Sequence, residues 1–439
     1  MVPVPDARLD SQPGLERRLG TFDAVVLGLG AMIGAGIFGV FAPAARAAGS
    51  GLLLGLAIAA GVAYCNAVAS AQLAATYPTS GGTYAYGHER LGPWWGFTAG
   101  WGFVVGKLAS CAAMALTFAA YAVPGHHWSQ RLVGAAAVLA LAALNYRGVT
   151  KTAQVTRVLV ALSLAALTSV VVAIAVGGPA HPAALNPSGW LDAGGVHGVL
   201  QSAGLIFFAF AGYARLATLG EEVRDPARTI PRAIPLALGI AVVLYGAVGA
   251  GALAATGPDG LAAATAPLTS AVSAVGAGGL APVVRVGGAI ACLGALLGLI
   301  AGIGRTTLAM ARQRDLPSWL GGVHERFRTP HHAEIAVAAV VAVLVLGTDL
   351  DHVIGFSSFG ILVYYGIANL AAFTQPAEQR RWPQWLQIVG GIACVVLMVN
   401  LPPASVAAGV AMFAVGIGGR AAVLVSRRRS SGGGPPSRG

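Results

Sequence analysis

Gly28-Leu29-Gly30-Ala31-Met32-Ile33-Gly34-Ala35-Gly36-Ile37-Phe38-Gly39 lies in the middle of the first long apolar run of the chain. A membrane helix favours uninterrupted Leu and Ala, yet this stretch carries five glycines. Each is less favourable in a helix than Ala by about 1 kcal/mol. The pattern predicts a backbone break at membrane depth, tolerated only where protein or a water-filled cavity satisfies the freed amides. Glycine leaves its N–H groups bare, and a half-helix beginning at Ile37 aims its positive dipole end at them. That combination suits a carboxylate. Two other readings compete. Gly34 to Gly39 matches G-x-G-x-x-G, but no soluble strand precedes it and no acidic residue follows about 20 positions on, which argues against a dinucleotide site. Gly30 and Gly34 also form a G-x-x-x-G that lets membrane helices approach closely. On this stretch alone, packing and ligand binding weigh equally.

The whole chain has 439 residues, 56% of them hydrophobic and 10% charged, where a soluble domain carries about 25% charged. It is therefore read as a polytopic, all-α membrane protein. The net charge of +11 comes from basic residues set between apolar runs, a topology signal that argues against nucleic-acid binding. Cys65, Cys111, Cys292 and Cys394 all fall inside apolar segments, so they read as small packing residues and neither a disulfide frame nor a metal site is expected. The polar N-terminus leads directly into a full-length span, without a signal-peptide pattern. No nucleophile–base pair or H-E-x-x-H motif occurs, so an enzyme is disfavoured and no cofactor is expected.

Twelve apolar runs are long enough to cross a bilayer, at about 20 residues each. They cover 21–45, 51–76, 94–123, 131–146, 153–177, 197–220, 232–256, 284–311, 333–348, 351–373, 384–400 and 403–425. A shorter stretch, 261–279, reads as external or re-entrant. With a cytoplasmic start, the inner loops receive Arg17, Arg18, Arg90, Arg147, Lys151, Arg224, Arg228, Arg312, Arg314, Arg326, Arg328, Arg380 and Arg381, while the outer loops receive only Arg46, Arg131 and Arg285. This is the positive-inside pattern, and it places both termini in the cytoplasm. The domain plan is a cytoplasmic segment 1–20, a membrane domain 21–425, and a flexible basic tail 426–439.

The sixth run, from Gly204 to Gly220, has Gly212 at its centre and a charged Arg215 shortly after. The first and sixth runs occupy matching places if spans 1–5 (about 21–177) are repeated by spans 6–10 (about 197–373), with 384–425 added at the end. An odd number of spans per repeat forces an inverted repeat. Breaks at matching positions of two halves point to a transporter's binding site.

Phe22-Asp23 through Gly39, Pro78-Thr79-Ser80-Gly81-Gly82-Thr83-Tyr84, and Phe207 through Pro226 with Thr229-Ile230-Pro231 resemble, in order, three signatures of the amino acid–polyamine–organocation permease superfamily. The resemblance covers the membrane domain and implies a five-plus-five inverted-repeat (LeuT-like) core with two additional C-terminal helices. It implies a secondary-active transporter that carries amino acids or closely related amines across the cytoplasmic membrane by alternating access, coupled to protons. By motif, the amides around Gly34, Ala35 and Gly36 would bind the substrate carboxylate. The carbonyls of Ile33, Phe208, Ala209 and Ala211 would receive its ammonium, and Tyr213 would lie beside the substrate. An unwound helix offers both kinds of group at its two broken ends.

Two positions depart from the family pattern. Ser163 stands where proton-coupled relatives carry a fifth-helix lysine, and Ala214 replaces the usual acid after the sixth-helix aromatic. Lys107, by contrast, lies midway along the third run, where an ionisable residue is expensive and functional by default. Three roles stay open for it: a proton carrier replacing the missing fifth-helix charge, a partner for a substrate side chain, or a structural cation capped by carbonyls. Arg215 reads as a gate residue or one member of an ion pair, with Glu222 two turns on along the same helical face. Glu221 and Glu222 read as inner-loop partners of Arg224 or Arg228 rather than as gates. An exchanger of amines or polyamines without proton coupling, and a non-transporting amino-acid sensor, are the competing functions. Topology gives the first test: cysteines introduced at 312–331 are expected to be shielded from impermeant thiol reagents in intact cells, and those at 256–283 labelled. The reverse pattern means that the span count is wrong by an odd number.

Overall fold

A computed structural model describes residues 19–79, 81–147, 153–218, 222–327 and 329–431. The segment 1–18, Ser80, Lys151, Glu221, Arg328 and the tail 432–439, each given a role above, lie outside them. Among the described residues the regular structure is all helical, with one isolated bridge between Leu19 and Val223. The first apolar run becomes α1 (Thr21–Met32), α2 (Ala35–Gly39) and α3 (Phe41–Ala48). Next come α4 (Leu52–Thr76), the short α5 (Thr83–Leu91), α6 (Pro93–Ala122), α7 (His127–Tyr146) and α8 (Ala153–Gly177). The sixth run splits into α9 (Gly195–Phe210) and α10 (Ala214–Ala217) around a 3-10 turn, Ala211–Tyr213. The remainder is α11 (Pro226–Ala263), α12 (Pro267–Ala274), α13 (Ala281–Arg312), α14 (His331–Gly347), α15 (Leu350–Phe373), α16 (Gln384–Val399) and α17 (Pro403–Ser431).

Nine helical stretches of the described residues are long and apolar enough to cross a membrane, which makes this a multi-pass membrane protein. Twelve were expected. The other three runs are helical too, but α14 and α16 have only 17 and 16 residues, and the 20-residue α7 opens on His127-Trp128-Ser129-Gln130-Arg131. The stretch 261–279 begins inside α11, which turns sharply at Gly257, held at φ +71° where an L side chain is strained. It continues into α12, whose Leu268 N–H donates to the Tyr121 hydroxyl of α6 at 3.2 Å. The helix α5 was not foreseen, because His88, Glu89 and Arg90 hide its apolar face in the sequence.

Burial separates centre from periphery. The apolar windows of α6 and α15 are 78% buried and those of the two broken helices 72%, whereas that of α17 is 17% buried. The core helices approach through small residues, as membrane packing requires: a Cβ on Gly360 of α15 would lie 2.8 Å from the Gly102 carbonyl of α6. At the arginine-poor end, all three sparse arginines fasten helices together. Arg46 of α3 grips Asp351 of α15 through Nε at 3.0 Å and Nη2 at 2.5 Å. Arg131 of α7 reaches Asp349 at 2.7 Å and Leu346 O at 2.5 Å, and Arg285 of α13 reaches Tyr121 O at 3.5 Å.

A buried amide ladder fixes α15 against α4. Asn369 Nδ2 donates to Asn66 Oδ1 at 2.6 Å and Gln72 Nε2 to Gln375 Oε1 at 2.7 Å. All four side chains are at most 1% exposed. Asn369 also donates to the carbonyl of Tyr365, one turn back on the face that meets the broken sixth helix. Replacing Asn369 with Leu leaves Asn66 Oδ1 only the weak Cys394 thiol donor at 3.4 Å. The expected cost is about 1 kcal/mol, in the range of interhelical hydrogen bonds in membranes, read as a lowered melting temperature in detergent.

Candidate functional site

The first break falls between α1 and α2. Ile33 is extended (φ −77°, ψ 105°), so the N–H groups at the start of α2 have no carbonyl one turn back within the helix. Phe38 N–H already returns to Gly34 O at 3.1 Å, while the Ala35 N–H points to Met114 Sδ at 3.0 Å. A thioether is a weak acceptor, so this amide is satisfied by little. The glycines here serve close approach. A Cβ on Gly34 would lie 2.9 Å from Met114 Sδ, and one on Gly36 would lie 2.7 Å from the backbone Cα of Ala209. A Cβ on Gly212, in the second break, would overlap the Ala31 carbonyl. The two breaks therefore touch, backbone on backbone.

The carbonyls freed at this crossing are taken by long side chains from neighbouring helices. The Tyr245 hydroxyl of α11 lies 2.7 Å from Met32 O and 3.1 Å from Ala209 O. Lys107 Nζ, on a side chain only 5% exposed, donates to Ala211 O at 3.2 Å, and the Tyr365 hydroxyl approaches the same oxygen at 3.4 Å. The Phe208 carbonyl accepts the Ala211 N–H within the turn.

Between the breaks lies a small cavity of ≈ 10 Å³, room for about one water molecule. Gly36, Phe208 and Ala209, all expected at the site, line it together with Lys107, and Ala31, Met32, Ser110, Met114, Gly212 and Leu299 complete it. Lys107, Ser110 and Met114 are spaced as one face of α6; that spacing was available in the sequence beside Lys107, but Ser110 and Met114 were not singled out. Tyr245 and Tyr365 were missed as well, since no local pattern tells a capping tyrosine from a packing one. Tyr213 is fully buried with its ring 5.0 Å from that of Tyr365, outside the lining of this cavity. Ile33 lines a second small cavity with Gly30, Thr156 and Ser163, between α1, α8 and α13. There the Ser163 hydroxyl turns back to Leu159 O at 2.8 Å. Among the described residues, no group of three His, Cys, Asp or Glu side chains is placed to hold a metal.

Arg215 and Glu222 do not share a helical face, because α10 ends at Ala217. Glu222 pairs with Arg305 of α13 at 3.6 Å, and neither Arg224 nor Arg228 is its partner; Arg228 lies 3.7 Å from Asp225. Helix geometry could not be extended through a turn whose start the sequence does not mark. The loop after α4 covers this end of the sixth run. Gly82 (φ +56°) takes a conformation that side chains resist, the Thr83 N–H donates to the Tyr364 hydroxyl at 3.1 Å, and the Tyr86 hydroxyl donates to Ala217 O at 3.1 Å.

The amino acid permease family profile matches residues 19–421. An uncharacterized transporter of Mycobacterium tuberculosis is 59% identical over 403 residues, covering 92% of this chain and 90% of its own. The branched-chain amino acid permease BcaP of Bacillus subtilis is 26% identical over 425 residues, 90% of each chain. A methylthioribose transporter of the same organism is 28% identical over 420 residues, 88% of this chain and 89% of its own.

The crossing makes a direct prediction. Gly36→Val places a branched side chain against the Ala209 backbone, where overpacking costs about 1–3 kcal/mol. The variant is expected to insert in the membrane and lose binding of amino acids, measured by scintillation proximity on purified protein. Wild-type affinity in an inserted variant removes the crossing from the site.

Proposed function

Since the chain belongs to the amino acid permease family, we propose that it carries an amino acid or closely related amine across the cytoplasmic membrane by secondary-active, alternating-access transport. One observation carries the reading: two backbone breaks from distant parts of the chain meet at a single cavity, and a buried lysine holds a carbonyl of one of them. Free amides at the start of α2 suit a carboxylate and the carbonyls of the sixth-run turn suit an ammonium, so the head group is gripped by backbone whatever the side chain. The fold reading that accompanies it has twelve crossings, with α7, α14 and α16 completing the nine, both termini cytoplasmic, and two inverted repeats over about 21–177 and 197–373.

Lys107 is the proposed coupling group. A substrate ammonium seeking Ala211 O meets the Lys107 ammonium already there. Two cations against one oxygen repel strongly where burial lowers the effective dielectric, which ties the charge of Lys107 to the occupancy of the site. The lining contains no carboxylate, so a further cation on the substrate side chain would go unpaired. This favours neutral or acidic side chains. The same hydrogen bond also supports a second reading, an exchanger in which Lys107 is a fixed structural cation and no proton moves.

Lys107→Met keeps much of the length and removes the charge. In proteoliposomes it is expected to abolish uptake of labelled amino acids driven by a pH gradient while leaving exchange of substrate for substrate largely intact. Accumulation by the variant against a gradient with only a pH difference imposed would show that the proton is carried elsewhere and return Lys107 to a structural cation.

A further inference from the structure

The first turn of α14 holds an acidic side chain that the transport reading does not use. Glu334 is 4% exposed, and its Oε2 is enclosed without a hydrogen-bond partner. Its stem lies over Gly304 of α13, where a Cβ would come within 3.2 Å of Glu334 Cγ. The glycine makes the slot that lets the carboxyl group enter between the two helices.

The charged and titratable groups around it are these. On α13, Arg305 follows Gly304 and is the cation whose charge reaches Glu334; its Nη1 is held 3.6 Å from Glu222. Arg215 of α10 faces α13 one turn away, beside Gly302. On α14, His331 lies one turn before Glu334, its ring packed on His332, on His324 and on Tyr146 of α7. His332 is engaged by Trp319 O at 2.7 Å, and the His324 ring nitrogen accepts from the N–H groups of Arg326 and Phe327. None of these gives Glu334 Oε2 a partner. A carboxylate removed from water and left unpaired is far less favourable than the neutral acid.

The Arg305–Glu222 contact matters because of what Glu222 holds. The Leu19 N–H donates to Glu222 O at 3.1 Å, and the Arg224 N–H donates to Leu19 O at 2.8 Å. Leu19 is the root of α1, and Glu222 follows the broken sixth run. One arginine on α13 thus fastens the base of both broken helices.

We propose that Glu334 is a proton-binding site whose protonation state controls this fastening. As the neutral acid it leaves Arg305 with Glu222. As the anion it competes for Arg305, and a partly exposed ion pair such as Arg305–Glu222 is weak enough to be displaced. This fastening of Leu19 and Glu222 therefore holds when Glu334 is protonated and loosens as it ionises. Glu334 binds its proton whatever the substrate and whether or not Lys107 moves one.

The test uses the full chain in nanodiscs without substrate. Dicyclohexylcarbodiimide attacks protonated carboxyl groups in apolar surroundings, and its adduct on Glu334 is read by mass spectrometry. Labelling is expected to persist at about pH 7, where exposed carboxylates are ionised, and to fall as the pH rises further; labelling already absent at about pH 7 overturns the assignment. A second arm places Thr218→Cys at the end of the sixth run, four residues before Glu222; the four native cysteines are buried. Its rate with an impermeant maleimide, normalised to a free thiol at each pH, is expected to rise threefold or more from acid to alkaline solution. Glu334→Gln should hold the rate low and flat, and Glu334→Asp should restore the rise. The same rise in Glu334→Gln overturns the link to Arg305.

Discussion

A helix broken inside a membrane has to satisfy the backbone groups it frees, because no water is there to do so. The centre of this protein is arranged around that demand. Tyr245 reaches across from α11 to Met32 O and Ala209 O, while Lys107 of α6 and Tyr365 of α15 converge on Ala211 O. The Ala35 amide finds only the sulfur of Met114. Carbonyls are thus capped by hydroxyl and ammonium groups, while an amide beside the cavity is left with a weak acceptor. On the proposed reading, that asymmetry assigns the substrate carboxylate to the α2 end of the crossing.

The caps in turn dictate the packing around them. Lys107 and Tyr365 arrive at one oxygen only because α6 and α15 lie against each other along Gly102, Gly106 and Gly360. The Asn66–Asn369 and Gln72–Gln375 bonds hold α15 at the depth where Tyr365 meets the turn. A polar ladder buried in an apolar bundle contributes modestly to stability; its larger effect here is to set the register of a helix that touches the site.

The two ends of the bundle are held by different devices. At the arginine-poor end, Arg46 and Arg131 bind Asp351 and Asp349 at the start of α15, and the geometry is bidentate for Arg46. At the arginine-rich end the ties include a longer, partly exposed pair, Arg305–Glu222, a buried pair, Arg420–Asp315, at 2.9 Å, the pair Arg157–Asp23, and neutral hydrogen bonds from Tyr86 and to Tyr364.

Residues acting through their own backbone were legible in the chain itself. Glycines set inside an apolar run disfavour helix wherever the run ends up, so the breaks at Ile33–Gly34 and at Ala211–Tyr213 could be placed from Gly28 to Gly39 and from Gly212. The apolar runs, and Lys107 as an ion at depth, followed from composition in the same local way. Partners across the fold were decided by tertiary structure. Nothing near Glu222 in sequence indicates that it meets Arg305 and not Arg224 or Arg228, and nothing near Ala211 indicates Tyr365, which is 154 residues away. Helical continuity suggested that Arg215 and Glu222 share a face, yet the chain leaves the helix at Ala217 and packs its base under the loop of Gly82 and Tyr86. Propensity belongs to the residue and its neighbours, whereas a hydrogen bond needs two groups at one point in space, and only the packed bundle brings them there.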